Sequence, residues 1–148
     1  MKLRTLLTTL LLLIAGAASA AITSGYYHIL SYNGKYMTEN ISDHTLVCSD
    51  LATPTNYAQV WYITVSGSSV TFKNALTNRY IQFSNSAYTT NTNQKTSFTA
   101  NESSGVYTFA NQSGAGLHCD NANFVVFYYT NEAKSKWTLE STTVNSTE

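Results

Sequence analysis

The chain is poor in charge, proline and cysteine. Of its 148 residues only 11% are charged, and eight basic side chains balance eight acidic ones. That balance excludes the basic stripe that a nucleic-acid binder displays. One Pro and seven Gly exclude collagen-like and Pro-rich linker classes. Two Cys, at 48 and 119, and three His, at 28, 44 and 118, lack the spacing of a zinc site. No metal or other cofactor is expected. Beyond the first twenty residues no apolar run approaches membrane-spanning length, so no membrane insertion is expected. What is plentiful is aromatic. Eleven Tyr and six Phe in a chain that is 43% hydrophobic exclude disorder, and the length suits one domain.

Residues 1–20 read as a secretory signal peptide. Lys2 and Arg4 precede an apolar stretch from Leu6 to Ile14, and Ala18-Ser19-Ala20 supplies the small residues of a cleavage site. Cleavage after Ala20 leaves a single mature domain, 21–148, with six basic and eight acidic side chains. The expected location is outside the cytoplasm: secreted, periplasmic or at the cell surface. Export permits a disulfide. Cys48 and Cys119 each sit in an apolar strand context, however, and read as two buried thiols. Bridging stays open, because sequence does not show proximity.

The mature chain has almost no helical periodicity. Short aromatic or β-branched runs at 26–30, 35–38, 45–48 and 60–65 are separated by Asn, Gly and Ser, the pattern of strands joined by turns. Asn33-Gly34 is a hairpin signal. The pattern then repeats. Tyr27-His28-Ile29 matches Val70-Thr71-Phe72 and Tyr107-Thr108-Phe109. Gly34-Lys35-Tyr36-Met37 aligns with Asn78-Arg79-Tyr80-Ile81 and Gly116-Leu117-His118-Cys119. Trp61, Phe98 and Trp137 close the three units. Spacings of 37 and 39 residues separate these anchors, and nine residues separate both Ile63 from Phe72 and Ala100 from Phe109. Four short strands used three times bury no aromatic face singly but close one shared core together. The fold class is all-β, with three pseudo-symmetric four-stranded repeats over about 25–140 and a polar tail at 141–148.

Three such repeats ending in Gln-x-Trp resemble the β-trefoil of ricin-type lectin modules. Gln59-Val60-Trp61 is the intact copy; Thr96-Ser97-Phe98 and Ser135-Lys136-Trp137 are degenerate ones. The resemblance implies up to three shallow sugar pockets. Each combines an acidic residue after the second-strand apolar pair, an aromatic stacking platform on the third strand, and nearby amides. Such groups bond hydroxyls and cover the C–H face of a sugar.

On this pattern the first repeat offers Thr38 with adjacent Glu39 and a platform position near Ser49, and its site looks lost. The second offers Gln82, with Tyr88 as platform and Asn91 and Asn93 in the following loop. The third is the best candidate: Asp120 as acceptor, Asn121 beside it, Tyr128 or Tyr129 as stacking face, and Asn131 in the next loop. Tyr128 and Tyr129 are strand neighbours, so one is expected in the core and the other in solvent. Asp120 also fits a turn that bonds local backbone amides.

No nucleophile turn, metal motif or phosphate loop is present, and His44 beside Asp43 fits a solvated turn. Catalysis is not expected. Two readings follow. One is a secreted carbohydrate-binding module recognising a glycan or surface glycoprotein. The other is a protein-interaction trefoil, such as an inhibitor or adhesion module, working through a protruding loop at 84–96. Asn40, Asn101, Asn111 and Asn145 lie in Asn-x-Ser/Thr triplets, which matter only in a glycosylating host.

Overall fold

Strands form where buried and exposed side chains alternate, and end where Asn, Ser or Gly takes positive φ. The computed structural model describes residues 21–145; the expected leader and its cleavage lie outside them. The first repeat contains β1 (Gly25–Leu30), β2 (Tyr36–Glu39), β3 (Leu46–Ser49) and β4 (Val60–Ser66). The second contains β5 (Ser69–Asn74), β6 (Tyr80–Ser84), β7 (Ala87–Asn91) and β8 (Phe98–Ser103). The third contains β9 (Val106–Gln112), β10 (Ala115–Cys119), β11 (Val125–Tyr129) and β12 (Thr138–Ser141). Single 3-10 turns at Tyr57–Gln59 and Ala133–Ser135 precede β4 and β12. Gly34, Gly67 and Gly105 take φ of 83°, 63° and 84° in the turns where the sequence places them.

The threefold pattern is visible in the register. Tyr27 pairs with Trp61, Val70 with Phe98, and Tyr107 with Trp137. Between units, Ile63 pairs with Phe72, Ala100 with Phe109, and Leu139 returns to Ile29. The last pairing closes six strands, β1, β4, β5, β8, β9 and β12, into a barrel and removes the open edge. The hairpins β2–β3, β6–β7 and β10–β11 cap one end, joined through the Thr45–Thr89 and Val47–Phe124 bridges. This architecture is a β-trefoil.

Trp61, Phe98 and Trp137 occupy related, fully buried positions. Phe72 packs edge-on against Phe98 at 5.4 Å and Phe109 at 5.1 Å. The indole N–H of Trp61 donates to the Met37 carbonyl at 2.9 Å, and that of Trp137 to the Leu117 carbonyl at 3.1 Å. Anchors of this size cost about 3 to 5 kcal/mol when truncated in a packed core.

Those two indole bonds make Met37 and Leu117 equivalent, which corrects the sequence alignment of the third repeat by two residues. The equivalent of Tyr36 and Tyr80 is Gly116, not His118. A Cβ at Gly116 would lie 1.8 Å from the Phe109 carbonyl oxygen, and the β9–β10 register shifts between Ala115 and Gly116. The bulge brings two backbones together where the other repeats carry tyrosine.

Candidate functional site

The corrected register defines three equivalent surface positions, each built from the residue after the Met37-type core position, the third-strand residue near it, and the residue two before the Trp61-type anchor. In the first repeat these are Thr38, Ser49 and Gln59. The Gln59 Nε2 amide donates to Thr38 Oγ1, Ser49 Oγ and the Asp50 carbonyl at 3.2, 3.0 and 2.9 Å, and its Oε1 accepts from Ala52 N–H. Gln59 is 2% exposed, so every polar atom is spent inside the protein. No aromatic platform accompanies it.

In the second repeat the set is Gln82, Asn91 and Thr96. Thr96 Oγ1 accepts from Phe83 N–H, and Asn91 Oδ1 accepts from Asn93 and Gln94 N–H. Tyr88 is not a platform. It is buried against Phe83 and Phe98, with its hydroxyl donating to Asn111 Oδ1. Tyr88 sits opposite Phe83 in the hairpin, on the inward face.

In the third repeat the set is His118, Tyr128 and Ser135. Ser135 Oγ donates its one hydrogen to the Tyr129 carbonyl at 2.7 Å. The 2.8 Å contact between His118 Nδ1 and Ser135 Oγ is therefore donated by the imidazole, which assigns the Nδ1–H tautomer. Nε2 is left as an acceptor. Among the described residues no protein group pairs with it, and His118 as a whole is only 7% exposed. Burial first, then the nearby Lys134 ammonium, hold the His118 pKa below the ordinary histidine value, and Asp120 and Glu132 oppose them. Tyr128 lies diagonally across the hairpin on the same face, with ring centres 4.9 Å apart. Gly116 stands directly opposite Tyr128 and adds no side chain to crowd it.

Tyr128 and Tyr129 are both exposed, by 46% and 61%. The expectation of one core and one solvent ring fails: both rings are exposed although Tyr128 pairs with Gly116 and Tyr129 with Ala115 within the hairpin. The two rings pack at 5.1 Å and with Ala115 and Phe127 line a shallow depression of about 230 Å³. Asp120 Oδ1 accepts from Ala122 and Phe124 N–H at 2.9 Å each, forming a local turn. That turn presents Asn121, whose Oδ1 accepts from Lys134 Nζ; the same ammonium lies 5.7 Å from the Tyr32 ring centre. Asn131 is exposed in the turn after β11. Sequence reasoning missed His118 because its neighbour Gly116 was matched to a turn glycine.

Elsewhere, His44 is not a solvated neighbour of Asp43. Its Nδ1 lies 2.8 Å from the fully buried Glu39 carboxylate, which also accepts from Thr77 Oγ1 at 2.6 Å and faces Arg79 Nε at 3.9 Å. Asp43 instead bonds Thr45. The Glu39 group is sealed from solvent and offers no access to a substrate. Cys48 and Cys119 are free and buried. Hydrogen bonding to Cys119, then burial, pushes the Cys48 thiol up and keeps it protonated. Among the described residues no cluster of three or more His, Cys, Asp or Glu is placed to hold a metal, and no helix is long and apolar enough to cross a membrane.

No family model and no curated protein sequence matches the chain. Solved structures do. A ricin B-like lectin from Macrolepiota procera in complex with lactose aligns with a TM-score of 0.70 at 12% identity, over 84% of this chain and 100% of that one. The Rhizoctonia solani agglutinin aligns at 0.69 and 15% identity, over 84% and 100%. The fold is the β-trefoil of the ricin B-like lectins. The designed threefold-symmetric protein ThreeFoil shares this trefoil at 0.70 and 15% identity, over 80% of this chain and 99% of that one. An endo-β-galactosidase from Clostridium perfringens also contains the trefoil, aligning at 0.71 and 15% identity. That match spans 80% of this chain but only 32% of the enzyme.

Proposed function

We propose that the protein is a secreted, non-catalytic carbohydrate-binding module whose working site is in the third repeat. The observation that carries this reading is the exposed Tyr128 ring beside an imidazole whose Nε2 acceptor has no protein partner among the described residues. Tyr128 supplies the stacking face, extended by Tyr129, and His118 Nε2 accepts a sugar hydroxyl where the family resemblance calls for a carboxylate. Asn121 and Asn131 flank the site as amides, and Asp120 holds Asn121 in place through its turn. The protein-interaction alternative loses its main feature, because 84–96 is largely the compact hairpin β6–β7 rather than a protruding loop. Structural neighbours in complex with lactose and bound to asialo-GM1 saccharide support the ligand class.

A shallow site of this kind gives affinity near millimolar, about −4 kcal/mol. The test is a glycan array on the full chain, followed by titration of the glycan it selects. Tyr128→Ala is expected to weaken binding about tenfold or more, roughly 1.4 kcal/mol, with an unchanged melting temperature because the ring is exposed. His118→Ala is expected to weaken it also, and Asp120→Asn less than either. A folded Tyr128→Ala protein that binds like the parent removes this site.

A further inference from the structure

A second feature runs from the barrel wall to the first strand of the β6–β7 hairpin. Tyr26 stands opposite Tyr62, Tyr62 opposite Lys73, and Lys73 opposite Tyr80, in register across β1, β4, β5 and β6. Their strand neighbours Tyr27, Trp61, Ile63, Phe72, Asn74 and Ile81 are buried, so alternation sends the whole row to the outer face. The Tyr26 and Tyr62 rings meet edge to face at 4.9 Å. At the other end, the ammonium groups of Lys73 and Lys95 lie 5.7 and 5.2 Å from the Tyr80 ring centre. Among the described residues no carboxylate pairs with either lysine. Three acids have other partners: Asp50 has Lys35, Glu140 the Tyr36 hydroxyl and Glu39 His44. Strands about 4.8 Å apart make the row roughly 14 Å long.

We propose that this row is a second glycan site, selective for a polysaccharide that carries carboxylate or sulfate groups. Two ammonium groups gathered on one aromatic ring, in a chain with few charges, form a local positive centre without an internal counter-ion. An anionic substituent fills that role. Tyr62 and Tyr26 continue the row as ring edges and hydroxyls against which the following sugar units lie. Two lysines are too few to hold a nucleic acid, whose affinity grows with each phosphate neutralised, and residues 21–148, with six basic and eight acidic side chains, add no long-range attraction.

The test measures binding of the full chain to heparin, which is sulfated, and to polygalacturonate, which carries carboxylates only, at low and high salt. Neutral dextran and duplex DNA serve as comparisons. The expected result is binding of at least one anionic polysaccharide that weakens with salt. The double variant Lys73→Gln with Lys95→Gln should lose about tenfold or more in affinity while melting like the parent. Lys35→Gln, which removes a lysine already paired, and Tyr128→Ala, which removes the third-repeat platform, should leave this binding unchanged. The proposal is overturned if neither polysaccharide binds or if the double variant binds like the parent. Equal binding of dextran or DNA also overturns it. Because Tyr128→Ala affects only the third-repeat reading, failure of one site is distinguishable from failure of the other.

Discussion

At position 116 an added methyl group would meet the Phe109 carbonyl oxygen at 1.8 Å and the Ala110 Cα at 2.6 Å, both backbone atoms that no rotamer change can move. Gly34 is used differently: its φ is 83°, and the space a Cβ would take there is empty out to 4 Å. One glycine permits a close approach, the other a left-handed turn. Gly116→Ala is therefore expected to cost at least about 2 to 3 kcal/mol through forced separation of β9 and β10. Gly34→Ala should cost only about 1 kcal/mol in backbone strain. Thermal melts of the two variants check the difference, and near-equal melting temperatures would contradict it. This distinction also marks the limit of what the residues reveal unaided. Trp61, Phe98 and Trp137 are legible as anchors because large apolar side chains at matched spacing have one use. Gly116 and Gly34 look alike in sequence, although their physical reasons are opposite, and equating them shifted the third-repeat alignment by two residues, which put Asp120 rather than His118 at the position equivalent to Thr38.

The three hairpins solve the same problem with different chemistry. Each must tie the loop after its third strand to the residue that follows its core position. In the first, Gln59 does this alone, its long amide reaching Thr38, Ser49 and Asp50. In the third, Ser135 is too short for that span, and His118 supplies the missing reach from the opposite side. The intact Gln-x-Trp copy is thus a structural tie, whereas the degenerate one leaves the His118 Nε2 without a protein partner among the described residues. Gln59→Ala is expected to destabilise by about 1 to 3 kcal/mol, since it strands the Ala52 N–H and the Asp50 carbonyl, and to leave glycan binding unaffected. Denaturant unfolding together with titration measures both. Gln59→Ala that melts like the parent, or that loses glycan binding, would mean the tie is not structural. Strand positions were legible here, because alternation and turn residues are local. The third repeat was already legible as the best candidate, but which side chains are spent on internal ties was not, because that depends on hydrogen-bond partners up to 21 positions apart.

Across the whole molecule, folding draws imidazoles in two different repeats out of solvent, one on a barrel strand and one in a cap hairpin, and both are held below the ordinary histidine pKa. For His28 on β1 the main cause is burial, opposed by Glu140, and its Nε2 has no partner. For His118 on β10 the causes are burial and Lys134, opposed by Asp120 and Glu132. In the unfolded chain both titrate near pH 6.5. As pH falls through that value the unfolded state takes up protons that the folded state still refuses, so stability declines. The contribution is fully present above pH 6.5 and is lost as pH drops toward and below the depressed folded values. The melting temperature is therefore expected to fall between about pH 7.5 and 5, before carboxylates begin to protonate appreciably near their ordinary values. His28→Gln should flatten this slope, because it removes one titrating group without altering the His118 and Tyr128 pair. Glycan binding follows the same direction for a local reason. Protonation turns the His118 Nε2 acceptor into a donor, so affinity should hold through neutral pH and drop only below about 6.5, where the folded imidazole charges. Melting curves and titrations over one pH series separate the two effects: His28→Gln should change the stability profile while leaving the binding profile in place. If both profiles are flat across that pH series, neither imidazole has the role assigned to it.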